Sequence, residues 1–148
     1  MNSTDPRGAS LPDVNVLIAA MHPSHQFHRA ALAWLDSDVR FATTAITETG
    51  FLRLSVNPNI TNEQVTVRDA LNVLRTLRSD DHWTFWPDTT SLADPMIDTI
   101  GMIGGKQITD FHLVNLAAAY DGQLVTFDAR IAGALHPRDR RHLRVLVP

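Results

Sequence analysis

Between Ile108 and Arg130 the chain carries one helix, one closure and one short strand, with an acid placed at the start of the helix and another at the end of the strand. Thr109 reads as an N-cap, which puts Asp110 in the first turn, where the helix dipole favours an anion. Leu113, Leu116, Ala117 and Tyr120 recur at helical spacing and predict one apolar face. Gly122 reads as a left-handed C-cap. Leu124-Val125-Thr126-Phe127 reads as a buried strand with Asp128 at its carboxyl end. In open α/β sheets, ligands bind just outside the carboxyl ends of the strands. Two acids aimed at that edge suggest a hard cation, because Mg²⁺ and Mn²⁺ prefer oxygen ligands.

The rest of the chain repeats the alternation. Residues 1–10 are expected to form a disordered leader, and residues 11–148 one domain. Leu11 to Ala20 predicts a buried first strand carrying Asp13 and Asn15, or a strand-end turn in which those two bond local backbone. A helix begins near His22-Pro23-Ser24, with Phe27, Ala30, Ala31, Trp34 and Leu35 as its core stripe. His22, His25 and His28 read as caps and surface contacts rather than as a metal site, because Pro23 interrupts their spacing. Arg40–Thr43 predicts a second strand, and Ala45–Ser55 a helix holding Glu48. Thr61 and Gln64 have capping-box form ahead of a helix to about Arg78 with Arg68, Arg75 and Arg78 on its wet face. Trp83–Trp86 predicts a third strand, and Asp94-Pro95 the cap and first turn of a helix through Ile103. Ile131–Leu135 reads as a helical turn, His136–Arg141 as a charged loop and Leu143–Val147 as the last strand. Strands alternating with helices predict an α/β fold with a mainly parallel sheet.

Composition narrows the chemistry. The 148 residues include no cysteine, so disulfides and thiolate metal sites are excluded and any metal must sit on oxygen or histidine nitrogen. No run of about 18 apolar residues occurs, and Met1–Ser10 lacks the apolar core of a signal peptide, so the expected location is the cytoplasm. Net charge is −3, from 13 basic and 16 acidic residues, a poor match for nonspecific nucleic-acid binding. A phosphodiester would therefore need local arginines and bridging cations. Lys106 is the only lysine.

Four acids stand at strand ends or in first helical turns: Asp13, Glu48, Asp110 and Asp128. Each alone is a weak signal, since capping acids are common. Together they would repel one another without a cation. With one or two divalent ions such a cluster could bind a phosphodiester and lower the pKa of a water. No cysteine nucleophile and no Ser-His-Asp pattern competes with that reading.

The segments Pro12-Asp13-Val14-Asn15-Val16-Leu17, Thr47-Glu48-Thr49-Gly50-Phe51, Thr109-Asp110-Phe111-His112-Leu113 and Thr126-Phe127-Asp128 resemble, in this order, the PIN-domain ribonucleases, and among them the VapC-like toxins of prokaryotic toxin–antitoxin pairs. The resemblance runs from about Leu11 to the C-terminus. It implies a three-layer α/β/α sandwich of about five strands, a homodimer, Mg²⁺- or Mn²⁺-dependent endoribonuclease activity on RNA, and inhibition by a small antitoxin protein. It also implies that Asp13, Glu48, Asp110 and Asp128 form the catalytic metal site, with Asn15 and Thr126 as supporting polar groups. Arg53 and Arg130 flank the acids in sequence and are candidates for contact with an RNA phosphate.

Three other classes compete with this one. A phosphoacceptor receiver domain needs an acidic pair at the first strand and a lysine near the last; this chain has Asn15 near Asp13, and Lys106 in a glycine loop. A non-catalytic RNA-binding module of the same fold is disfavoured by the complete set of acids. A DNA nuclease is disfavoured by the lack of a clamping insertion.

Overall fold

The computed structural model describes residues 5–148. Three-residue strands β1 (Ser10–Pro12) and β2 (Phe41–Thr43) are followed by β3 (Trp83–Phe85), β4 (Gln123–Thr126) and β5 (Leu143–Val145). They form one sheet in the order β3-β2-β1-β4-β5, with every pairing parallel. The helices are α1 (Val14–Met21), α2 (His28–Leu35), α3 (Ala45–Ser55), α4 (Pro58–Thr61), α5 (Val67–Arg78), α6 (Ile108–Ala119) and α7 (Arg130–Ala134).

Successive side chains of a strand face opposite sides of the sheet. Leu124 therefore joins a core with Leu11, Trp86, Phe111, Leu116 and Leu143, in which α6 and α7 cover the sheet. Val125 joins a second core with Leu17, Trp34, Phe41, Phe51 and Leu74, where α1, α2, α3 and α5 cover the other face. This is the three-layer α/β/α arrangement, with five strands.

Several local expectations need correction. The run from Leu11 to Ala20 is not one strand. Pro12 ends β1, and Asp13 caps a helix by accepting from the Val14 amide at 2.8 Å. A fully buried apolar run has no polar face to reveal its period, so strand and helix look alike in it. The residues placed in the N-terminal leader include Ala9, fully buried, and Ser10, part of β1; the expectation for residues 1–4 lies outside the described residues. The helix expected near His22 starts at His28. The capping box is built by Thr66 and Asp69, not by Thr61, which ends α4.

No helix spans 94–103. Buried side chains of neighbouring elements take up its amides instead: Asn115 Oδ1 accepts from Met96 N at 2.8 Å, and Asp139 Oδ2 from Asp98 N at 2.9 Å. The periodic isoleucines do not form one buried face, because only Ile97 is enclosed whereas Ile100 and Ile103 are exposed. The N-cap of α6 is Gln107 rather than Thr109. The left-handed residue after α6 is Asp121, at φ 54°, rather than Gly122. Gly122 is required by close approach: a Cβ there would lie 2.1 Å from the Ala9 carbonyl oxygen. The charged segment after α7 is a 3-10 turn, Pro137–His142, with Asp139 and His142 buried. Among the described residues no helix is long and apolar enough to cross a membrane.

Candidate active site

Because all strands run parallel, their carboxyl ends share one edge, and β1, β2 and β4 each deliver polar groups there. Asp13 follows Pro12 directly. Its amide donates to Val125 O at 2.8 Å, which locks the residue to the end of the sheet. Its two oxygens are both engaged: Oδ1 accepts from Val14 N, and Oδ2 from Thr126 Oγ1 at 3.1 Å. Thr126 is itself fully buried and also accepts from the Asp128 amide at 3.0 Å. One hydroxyl thus ties the end of β4 to Asp13 and sets the turn that carries Asp128.

The electrostatics place Asp13, Asp110 and Asp128 in one group. Burial pushes the Asp13 carboxyl above its ordinary value, Thr126 and Val14 pull it back, and Asp128 raises it further. Asp110, in the first turn of α6, is pushed up to about 6, first by burial and then by the charges of Asp13 and Asp128, with Arg130 opposing. Asp128 goes the other way, because Arg130 holds it low. The guanidinium grips it with Nε to Oδ1 and Nη2 to Oδ2, both at 3.0 Å. Asp110 and Asp128 line one cleft with Lys106, Gln107, Phe111 and Arg130.

Glu48 stands at the same edge, on α3 just after β2, but its carboxylate is engaged separately. Oε1 accepts from Thr43 Oγ1 at 2.6 Å, and Oε2 pairs with Arg78 at 3.3 Å. Asn15 is exposed on α1 and makes no hydrogen bond to the acids. Arg53 is exposed in the last turn of α3 and does not line the acidic cleft. Sequence reasoning left out Thr43, Arg78 and Trp83, and left Lys106 in a glycine loop. Arg78 looked like one more wet-face arginine, because its target on α3 is set by tertiary packing alone. Of the three early histidines, His25 accepts from the nearby Phe27 amide and His28 meets Ala19 O, whereas His22 is buried against Ser55 Oγ rather than set at the surface.

The donor set is carboxylate and hydroxyl oxygen, which suits a hard divalent cation. Burial and mutual repulsion raise two of the three carboxylates, as expected of acids that share a site without a counter-ion. As they stand, no three histidine, aspartate or glutamate side chains among the described residues are set together as a ready-made ligand cage.

The raised Asp110 has a consequence for stability. A carboxyl whose folded-state pKa exceeds its unfolded value stabilises the fold when protonated, and that stability is lost as pH rises through the folded pKa. The metal-free protein is therefore expected to lose stability between about pH 4 and pH 6 on this account. A shift of this size is about 3 kcal/mol in a fully buried site. Asp110 is only partly buried, and solvent screening reduces the figure to about 1 kcal/mol. Asp110→Asn is expected to raise Tm at pH 7.5 and to flatten this part of the pH profile, as read by thermal denaturation in EDTA. A lower Tm for the variant would show that the carboxylate is not under strain.

Taken together, an all-parallel sheet with three mutually coupled carboxylates at its carboxyl edge defines an α/β protein with an acidic edge site. The PIN domain model matches residues 10–134, and the chain belongs to that family. It is 41% identical over 126 residues to Ribonuclease VapC39 of Mycobacterium tuberculosis (strain ATCC 25618 / H37Rv), covering 83% of this chain and 91% of that relative. It is 36% identical over 141 residues to Ribonuclease VapC44 of the same strain, covering 93% and 99%. Ribonuclease VapC38, again from that strain, is 34% identical over 139 residues, covering 93% and 97%.

Proposed function

We propose that this protein is a metal-dependent endoribonuclease and the toxin of a toxin–antitoxin pair, with residues 11–148 acting as one nuclease domain. The observation that carries the reading is the coupled group Asp13, Asp110 and Asp128 at the carboxyl edge of the sheet. The names of the relatives, each a ribonuclease, agree with it. Mg²⁺ is the proposed ion, with Mn²⁺ as a substitute, held by Asp13, Asp110 and Asp128 with Glu48 as the fourth acid. Once bound, such an ion neutralises phosphate charge and makes a water more acidic.

The chain's own residues do the rest. Asp13 is held rigid by Val14 N and Thr126 Oγ1, so its position survives the arrival of a polyanion. Asp110 and Asp128 present carboxylates from opposite elements into the shared cleft. Arg130 is strongly exposed, and surface ion pairs of this kind contribute only about 0–1 kcal/mol. It can therefore release Asp128 and turn to a phosphate, for which a two-pronged guanidinium is suited. Lys106 lies at the same rim and adds a second positive charge. Arg53, further from the cleft, remains a candidate contact for an RNA strand leaving the site. We place the protein in the cytoplasm, as a homodimer restrained by an antitoxin protein.

The test is incubation of the purified protein with total cellular RNA and Mg²⁺ or Mn²⁺, beside an EDTA control. Discrete fragments that vanish with EDTA are the expected result, and mapping their ends names the target. Intact RNA from folded, metal-loaded protein would overturn the nuclease reading and favour a binding module. A stable acyl phosphate on treatment with a small phosphodonor would favour the receiver class instead.

A further inference from the structure

We propose that Trp83, Thr43 and Arg78 form a positioning device for Glu48, built from three separate elements of the fold. The proposal rests on the reading of Glu48 as the fourth acid of the metal site. Thr43 ends β2, is fully buried, and has its hydroxyl 2.6 Å from Glu48 Oε1. Trp83 Nε1 lies 2.9 Å from the same hydroxyl oxygen. An indole N–H can only donate, so the threonine oxygen accepts there and its one proton turns towards Glu48. The direction of the Thr43–Glu48 hydrogen bond is thereby set by a tryptophan.

The other carboxylate oxygen is held from the opposite side. Arg78, the last residue of α5, pairs with Oε2, and its guanidinium carbon lies 4.5 Å from the Trp83 ring centroid and 5.3 Å from that of Phe85. The aromatic faces support the cation, which limits its freedom. Trp83 thus acts on both arms: its edge nitrogen orients the hydroxyl and its face seats the guanidinium. Glu48 would otherwise lose side-chain entropy each time it was ordered by a ligand. Here its 12% exposed side chain is ordered in advance. Acids that hold metals are commonly oriented in this way, and loss of an orienting partner typically costs about 10–100-fold in metal affinity.

The experiment is titration of the full chain with Mn²⁺, with free Mn²⁺ read by electron paramagnetic resonance. Thr43→Val removes the hydroxyl at nearly constant volume, and Trp83→Phe removes the indole donor while keeping an aromatic face for Arg78. Each is expected to weaken Mn²⁺ binding about 10-fold, whereas Thr43→Ser, which keeps the hydroxyl, stays within about twofold of wild type. In a Glu48→Gln background neither Thr43→Val nor Trp83→Phe should change affinity further, which a merely structural role would not produce. Unchanged affinity in both single variants would overturn the proposal, as would equal losses in both backgrounds. If Thr43→Val does not fold, Trp83→Phe carries the test alone. If Glu48→Gln binds Mn²⁺ like wild type, the device has no metal role and the proposal falls; a loss of Mn²⁺ binding in Asp13→Asn would then show that the metal reading itself survives.

Discussion

Asp13→Asn is expected to lower RNA cleavage by about 1,000-fold, equivalent to about 4 kcal/mol of transition-state stabilisation, with no fall in Tm. The two halves of that expectation have separate causes. The amide keeps an oxygen that can accept from Val14 N or from Thr126 Oγ1, and asparagine caps a helix about as well as aspartate. Removing a charge that burial already disfavours also relieves strain. The fold should therefore hold or gain slightly. The site, in contrast, loses a buried acid fixed by Val14 N and Thr126 Oγ1, and with it part of its negative charge for a cation. Single-turnover cleavage of a mapped RNA, beside a thermal melt of the same sample, measures both. Near-wild-type cleavage would remove Asp13 from the catalytic set, and a large drop in Tm would assign it to folding.

Trp86→Ala is expected to cost about 3–5 kcal/mol of stability, enough to unfold a marginal domain. Trp86 is fully buried, just beyond β3. Its ring stacks on Tyr120 with centroids 4.7 Å apart and planes 8° off parallel. Its indole nitrogen donates to Pro6 O at 2.8 Å, and its backbone carbonyl accepts from Thr44 Oγ1 at 2.7 Å. Its six-membered ring also fills the space that the absence of a Cβ at Gly122 leaves open. The side chain thus joins the segment before β1, the end of α6 and the edge of the sheet. Urea denaturation followed by circular dichroism gives the difference. A cost below about 1 kcal/mol would mean that the site collapses to fill the space.

Much of the fold was legible because local chemistry and tertiary demand agreed. Helix α3 was readable with both its ends, since a threonine start and an Asn-Pro stop bracket it in the sequence. The α6–β4 unit was readable from its acids, Asp110 in the first turn of the helix and Asp128 just past the strand, although α6 encloses residues 113–117 in a row and shows no single apolar stripe. Where burial is nearly complete, that agreement is lost: α1 encloses five apolar residues in a row, Val16–Ala20, and Asn15 alone is exposed, too little to betray its period. The segment 94–103 failed for another reason. Its apolar spacing is helical, yet buried Asn115 and Asp139, far off in sequence, claim its amides.

The same division runs through the site. Local signals singled out Asp13, Glu48, Asp110 and Asp128, because an acid after a strand or in a first helical turn has a recognisable setting. Thr126 was marked only by the family resemblance. The sequence alone also determined the donor chemistry, since a chain without cysteine offers a metal only oxygen and imidazole nitrogen. The tertiary structure alone decided which acids share a field, that Arg53 stays apart from them, and that Glu48 is held by Thr43 and Arg78. The reason is physical: a cap or a period is written within one turn of chain, whereas a charge acts on whatever the packing brings near it, from any distance along the sequence.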